Sequence, residues 1–152
     1  MTSMRAILLA ATVAALAVPA ALAATPADIA KAVDPAVVQM VTGGNWEDGG
    51  KKGYYRAVMI APATSASGAE VYLQWFQSAK DQTAPTLVLE VPIKEVNDLK
   101  LTDATLSMET LKANEFILYV EPNDPSKDTQ QGFSVTATLP GKYTAVAGAL
   151  PE

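Results

Sequence analysis

The sequence contains neither cysteine nor histidine, and each absence excludes a class of chemistry. Without cysteine there is no disulfide, no thiolate nucleophile and no thiolate metal site. Without histidine the chain lacks the usual general base, the Ser-His-Asp arrangement and the commonest ligand of transition metals. We therefore expect a protein that is not an enzyme, with no catalytic residues, no bound metal and no cofactor.

Positive charge is also scarce. The chain has 11 lysines and arginines against 16 aspartates and glutamates, and its net charge is −5. An acidic chain is poorly matched to the phosphate backbone of nucleic acids and to anionic lipid surfaces. We therefore expect neither nucleic acid nor an anionic lipid surface as a partner. No later apolar run is long enough to span a membrane.

The N-terminal segment 1–23 has the three-part build of a secretory signal peptide. A positive charge at Arg5 precedes an apolar run over residues 6–18, which is shorter than the roughly 20 residues of a spanning helix. Small residues around Ala23 form a cleavage site, with Ala20 as the second choice. We expect export to a bacterial periplasm or to the medium, because a cysteine-free domain fits these better than a eukaryotic secretory route.

The remaining chain divides into a short N-terminal helix with its linker, 24–36, and a single β domain, 37–150. Thr25 is placed to cap the helix, Pro26 suits its first position, and Pro35 ends it. A helix of about two turns is too short to be stable alone in water. We therefore expect it to pack on the domain or to fray.

Short alternating segments separated by turn signals predict about seven to eight strands in the β domain. The predicted strands cover 37–41, 54–61, 70–76, 86–91, one broken or two short strands in 99–108, 116–121 and 133–139. One helical turn is predicted at 93–98, and 142–150 fits either an edge strand or a tail. This pattern predicts an antiparallel β-sandwich, immunoglobulin-like in architecture, with a partly open barrel as the alternative.

The segment 43–76 holds both tryptophans, three of the five tyrosines and Arg56, the only arginine beyond the signal peptide. Five glycines lie within 42–53, next to the turn signal Asp48-Gly49. Either Trp46 ends the first strand, or the whole glycine-rich stretch is a loop. We favour a hairpin with a wide glycine-rich connection, which leaves Trp46 at the exposed edge of the loop.

The side chains around this stretch form the candidate ligand-binding site. Aromatic faces bind sugars and apolar rings, and arginine offers a planar fork to a carboxylate. The alternative interpretation is structural: Trp75 and a tyrosine from each strand are core, and Arg56 pairs with a nearby carboxylate of Glu47, Asp48 or Glu70 or stacks on a tyrosine. The predicted site residues are Trp46, Glu47, Asp48, Tyr54, Arg56 and Tyr72.

Two further patterns are weaker. A glycosidase needs two carboxyl groups at a fixed separation, so Glu47 or Asp48 would need a partner such as Glu70 or Glu90. Oxygen-bearing residues also cluster in 121–128, but the mid-loop glycine of a calcium-binding loop is missing there.

The predicted function is therefore an exported, non-catalytic binding or structural module that uses the segment 46–56. Its partner would be a protein, a glycan or a small ligand. The first alternative is a carboxylate-dependent hydrolase acting on a glycan or a cell-wall polymer. The second is a subunit of an envelope assembly that pairs through an edge strand.

Overall fold

The structure is a computed structural model that describes residues 31–61, 64, 68–79, 84–123 and 131–150. The chain divides into two compact units, Met1–Ala32 and Val33–Glu152. The predicted signal peptide, and all but the end of the predicted N-terminal helix, lie outside the described residues. Within the described ranges, no helix combines the length and the apolar character needed to cross a membrane.

The described part of the second unit forms eight strands and one short helix. In chain order these are β1 (Val37–Asp48), β2 (Lys51–Ile60), β3 (Glu70–Gln77), β4 (Thr86–Pro92), α1 (Lys94–Asn97), β5 (Ala104–Glu109), β6 (Phe116–Pro122), β7 (Gln131–Ala137) and β8 (Tyr143–Ala149). Strands β1 to β4 form one antiparallel sheet, the first sheet, and β5 to β8 form another, the second sheet. The mostly β, antiparallel class predicted from the alternation is confirmed.

Each sheet is a meander, because every strand pairs with its neighbours in sequence. The chain thus completes the first sheet before it begins the second. Immunoglobulin domains instead distribute consecutive strands over two sheets through Greek-key connections. The strand order, for which the sequence offered no prediction, therefore differs from that of immunoglobulin domains.

Two segments that the sequence left open are now assigned. In 99–108 only the part from Ala104 onward is a strand, because Lys100 has a positive φ of 51° and the chain turns there. The segment 142–150 contributes β8, an edge strand of the second sheet. The helical turn predicted at 93–98 corresponds to α1.

Inward side chains of both sheets share one hydrophobic core. The Tyr55 ring of the first sheet stacks on the Phe116 ring of the second, with centroids 5.3 Å apart. The Trp75 indole N–H donates to the carbonyl oxygen of Thr138, which follows β7, at 3.1 Å. Trp75 is fully buried, which confirms its predicted place in the core.

Two side-chain amides extend the backbone pairing beyond the sheets. Gln39 of β1 accepts from the Leu106 N–H at 2.7 Å and donates to the Leu106 carbonyl oxygen at 3.3 Å. Asn97 of α1 accepts from the Val71 N–H at 2.7 Å and donates to its carbonyl oxygen at 3.2 Å. Each amide thereby pairs with the N–H and the carbonyl oxygen of one backbone residue, and the Val71 carbonyl oxygen also accepts from the Ile93 N–H at 2.9 Å.

Candidate functional site

The hairpin between β1 and β2 is tighter than the sequence suggested. β1 runs to Asp48 and β2 begins at Lys51, so only Gly49 and Gly50 connect them. Both glycines have positive φ, 55° and 78°. Two consecutive residues with positive φ are typical of a type I′ turn, whose twist matches that of the flanking strands. The predicted wide connection is therefore wrong.

A β-bulge turns the Trp46 side chain into the core. Gly43 pairs with Tyr55, and Trp46 pairs with Gly53, so β1 holds one more residue than β2 between these two pairs. One extra residue reverses which side chains face inward, and Gly44 supplies a positive φ of 61° at the bulge. Trp46 is only 2% exposed. The prediction that Trp46 lies at an exposed loop edge is wrong.

The space for the Trp46 indole is provided by Gly53. A Cβ atom on Gly53 would lie 2.6 Å from two atoms of the indole and 1.8 Å from the carbonyl oxygen of Phe76. The indole N–H donates to the Tyr54 carbonyl oxygen at 3.2 Å. Glycines 44 and 53 therefore serve the packing of this tryptophan rather than a flexible loop.

Three of the predicted site residues do come together, on the outer face of the first sheet. Tyr54 and Arg56 lie on β2 and Tyr72 on β3, and all three are partly buried. Neighbouring side chains on β3 and β4, which are not among the predicted site residues, complete the surface. We call this surface the aromatic face; it consists of Tyr54, Arg56, Tyr72, Gln74, Phe76 and Glu90.

The centre of the aromatic face is the Phe76 ring. The Tyr54 ring stacks on it, with centroids 5.3 Å apart and planes 8° from parallel. The Arg56 guanidinium carbon lies 4.2 Å from the same ring centroid, which is within the range of a cation–π contact. The predicted stacking of Arg56 on a tyrosine is thus replaced by stacking on Phe76.

A chain of polar contacts crosses the face from β2 to β4. Arg56 Nε donates to Gln74 Oε1 at 2.5 Å, and Gln74 Nε2 donates to the Glu90 carboxylate. Gln74 is only 7% exposed, and its hydrogen bonds to Arg56 and Glu90 hold its amide in one orientation. No ion pair to Arg56 is present among the described residues. The alternative pairing of Arg56 with Glu47, Asp48 or Glu70 is therefore not formed.

Tyr72 adds a hydroxyl group to the aromatic face. Its hydroxyl donates to the Glu70 carboxylate. This hydrogen bond raises the pKa of Tyr72, and burial and the negative charges of Glu70 and Glu90 act in the same direction. The hydroxyl is therefore protonated at neutral pH and keeps its oxygen available as an acceptor for a ligand.

The other three predicted site residues are not part of this group, although the pairing of Glu47 with Lys52 puts Glu47 on the same outer face, one step beyond Tyr54 towards the hairpin end. Trp46 is in the core, as described above. Glu47 is exposed near the hairpin end and pairs with Lys52 at 3.1 Å, a kind of surface ion pair that contributes little to stability. Asp48 is exposed and lies opposite Lys51 at the turn.

Two of the carboxylates considered for a hydrolase, Glu47 and Glu70, are far apart. Glu47 pairs with Lys52 and Glu70 pairs with Ile60, which separates the two by about 26 Å along β2 at the usual rise per residue. A glycosidase requires its two carboxyl groups within about 10 Å. Among the described residues no group of three or more acidic side chains is placed to hold a metal ion, and 124–128 of the predicted calcium segment lie outside them.

A cleft of about 450 Å³ opens near the starts of β1 and β5. Its polar lining is largely committed to internal contacts: the Gln39 amide binds Leu106, and Thr105 and Asn123 bind each other. Of the described residues that line it, Asp103 alone is charged. The cleft therefore offers fewer free recognition groups than the aromatic face.

Comparison of the chain with protein-family models, curated proteins and solved structures gives no match. The candidate site therefore rests on its own geometry.

Proposed function

We propose that this chain is an exported, non-catalytic binding module whose two sheets pack as a β-sandwich and whose binding surface is the aromatic face. One observation carries the proposal. The outer face of the first sheet combines ring surfaces with an arginine that has no ion-pair partner in the described part of the chain. Tyrosine and arginine are among the residues that dominate binding energies at protein interfaces.

Exposed aliphatic side chains extend the apolar surface of the first sheet. Met40 on β1 is 47% exposed, and Leu87 and Val88 on β4 are 44% and 42% exposed. The solvent-facing positions of an antiparallel sheet are usually polar. A contiguous apolar surface on such a face is typical of an interaction site, which supports assigning binding to this side of the protein.

Export to the periplasm or the medium is supported by the pattern of residues 1–23. Fractionation of cells that produce the full chain tests it: the proposal requires a shortened product beginning at Ala24 outside the cytoplasm. A full-length product confined to the cytoplasm would contradict it.

A non-catalytic role is preferred to a hydrolase because Glu47 and Glu70, two of the carboxylates that the sequence offered, do not converge. Assembly through an edge strand is the second candidate. β8 pairs only with β7 among the described strands, and no proline lies within Tyr143–Ala149. The edge strand β4, by contrast, is less able to pair with another strand, because Pro92 lies at its end and a bulge lies opposite Phe76.

Two tyrosines give a matched test of the binding surface. Tyr72 on the aromatic face donates to Glu70, and Tyr119 on the outer face of the second sheet donates to Glu109. Both are partly buried, so Tyr72→Ser and Tyr119→Ser remove similar contacts from opposite sides of the protein.

The experiment measures retention of the full chain on insoluble peptidoglycan and on a panel of polysaccharides. We expect retention by at least one polymer, on the order of tenfold weaker for Tyr72→Ser, the equivalent of about 1.4 kcal/mol, and unchanged for Tyr119→Ser. Equal losses in the two variants would remove the aromatic face as the binding surface. Release of soluble sugar during the incubation would instead support the hydrolase.

A further inference from the structure

The Arg56 side chain is fixed at one end and open at the other. Its Nε is held by Gln74 at 2.5 Å, and its guanidinium lies over the Phe76 ring. Gln74 is itself buried and bound to Glu90, so it cannot turn away from the arginine. The guanidinium plane is therefore set before any ligand arrives, which reduces the entropy lost on binding.

The open end is the pair of terminal nitrogens, Nη1 and Nη2. A guanidinium carries five N–H donors, and the bond to Gln74 uses only the one on Nε. No carboxylate in the described part of the chain pairs with Arg56. The fork formed by the terminal nitrogens matches a carboxylate in a two-pronged arrangement.

The surroundings of Arg56 select against ligands with many negative charges. Glu90 lies at the other end of the polar chain, and Glu70 is bound to Tyr72 on the same side of the sheet. The chain as a whole carries a net charge of −5. A polyanion would be repelled by these groups, whereas a ligand with one carboxylate and several hydroxyl groups could donate to the glutamates.

The neighbouring ring favours a ligand with a flat apolar surface. Tyr54 is partly exposed and its ring is held parallel to Phe76. The C–H surface of a pyranose ring packs well on an aromatic ring such as that of Tyr54. The sugar hydroxyl groups match the carboxylate acceptors of Glu70 and Glu90 nearby.

From this geometry we propose that the aromatic face binds a sugar bearing a single carboxylate, with Nη1 and Nη2 of Arg56 holding the carboxylate and Tyr54 packing on the sugar ring. The proposal rests on the function proposed above and adds the chemical class of the ligand. The sugar acid can be free or part of a polymer with widely spaced acidic units.

The arginine count makes a direct test practical. The full chain contains two arginines, Arg5 and Arg56, so its ¹H–¹⁵N spectrum has only two Nε–Hε signals. The signal lost in Arg56→Gln is that of Arg56. The ¹⁵N-labelled chain is titrated at constant ionic strength with glucuronate, glucose, acetate and a tetrasaccharide in which one glucuronate is joined to three neutral sugars.

We expect glucuronate to shift the Arg56 signal saturably at millimolar concentrations, with weaker effects of glucose and acetate. Because Arg56→Gln has no Nε–Hε signal at this position, binding to the variant is followed by the backbone amide signals of β2 and β3 in the same spectrum. Glucuronate binding should be weaker by roughly 10- to 100-fold in this variant, the usual value of a hydrogen bond to a charged group. Lys112→Gln, the control, removes the same charge from an exposed lysine that lies outside the first sheet and pairs with Glu115, and it should leave binding unchanged. Tighter binding of the tetrasaccharide would identify a polymer as the source, and equal binding a free sugar acid.

Three results would overturn the proposal. If Lys112→Gln and Arg56→Gln weaken binding equally, the effect is one of net charge. If acetate binds as well as glucuronate, the sugar ring is not recognised. If glucose and glucuronate bind equally and only Tyr54→Ser weakens them, the aromatic face is a binding surface but Arg56 does not select a carboxylate, so the proposed function stands while this inference fails.

Discussion

The two sheets bury similar inner faces but have different outer faces. The outer positions of the second sheet are mixed, with Ser107, Tyr119, Ser134 and Val146 in one row across the strands and Glu109, Ile117, Thr136 and Thr144 in the next; these two rows hold one aromatic ring, that of Tyr119. The corresponding positions of the first sheet carry the aromatic face. Since both sheets build one core from their inner sides, folding alone does not require rings on the outer side of one of them.

Aromatic residues have two different roles within the first sheet. On the inner side of the first sheet, Trp46, Tyr55 and Trp75 are buried and stabilise the fold. On the outer side, Tyr54 and Phe76 support a fixed arginine. Substitutions on the inner side should therefore affect stability, and substitutions on the outer side should affect binding.

The largest expected effect is on the inner side. Trp46→Ala should lower the free energy of unfolding by about 3–5 kcal/mol, because it leaves a large cavity in the core. Urea denaturation of the full chain, followed by far-ultraviolet circular dichroism, measures the loss. Trp75→Ala is the matched control and should lose a similar amount. A loss below about 1 kcal/mol for Trp46→Ala alone would place the indole at the surface, since surface substitutions usually have small effects.

A smaller effect is expected at the glycine that makes room for Trp46. Gly53→Ala should destabilise by about 1–3 kcal/mol because the added methyl group has no space. Gly148→Ala in the second sheet is the control, since a methyl group added there would meet no atom within 4 Å, and it should leave stability nearly unchanged or slightly higher. Equal melting temperatures of the two variants would contradict the packing of the indole on Gly53.

For much of the first sheet, the face on which each side chain lies could be predicted from two-residue alternation. In β3 the alternation places Leu73 and Trp75 inward and Tyr72 outward, as found. Tyr54 and Arg56 lie on one face for the same reason. Within a single strand, alternation fixes the face of every residue as long as no bulge intervenes.

The position of Trp46 could not be predicted in this way. The bulge between Gly43 and Trp46 shifts the alternation by one residue, and nothing local in the composition specifies where the extra residue lies. Gln74 and Glu90 were not predicted to belong to the site for a related reason. Their contact depends on the register between β3 and β4, which tertiary packing sets.

The smallest expected effect concerns Tyr55, where the two sheets meet. Its hydroxyl has no hydrogen-bond partner among the described residues, and burial, with a contribution from Glu115, raises the pKa of Tyr55 to about 12. The unfolded chain loses this proton near pH 10, so the stability contribution is complete below pH 10 and is lost as the pH rises towards 12.

Tyr55→Phe removes this group and should change stability little at neutral pH, because no hydrogen bond is broken. Urea midpoints measured from pH 9 to pH 12 should fall less steeply for Tyr55→Phe than for the unsubstituted chain. Parallel curves for the two proteins would show that the Tyr55 hydroxyl reaches solvent.

The most direct test of the aromatic face as the binding surface is chemical-shift mapping of the full ¹⁵N-labelled chain with soluble peptidoglycan fragments and with neutral and acidic oligosaccharides. We predict that the backbone signals shifted by a bound sugar cluster on β2, β3 and β4 around Arg56 and Gln74. Shifts that cluster instead on β6 and β7, or around the cleft near Asp103, would contradict the assignment of binding to the first sheet.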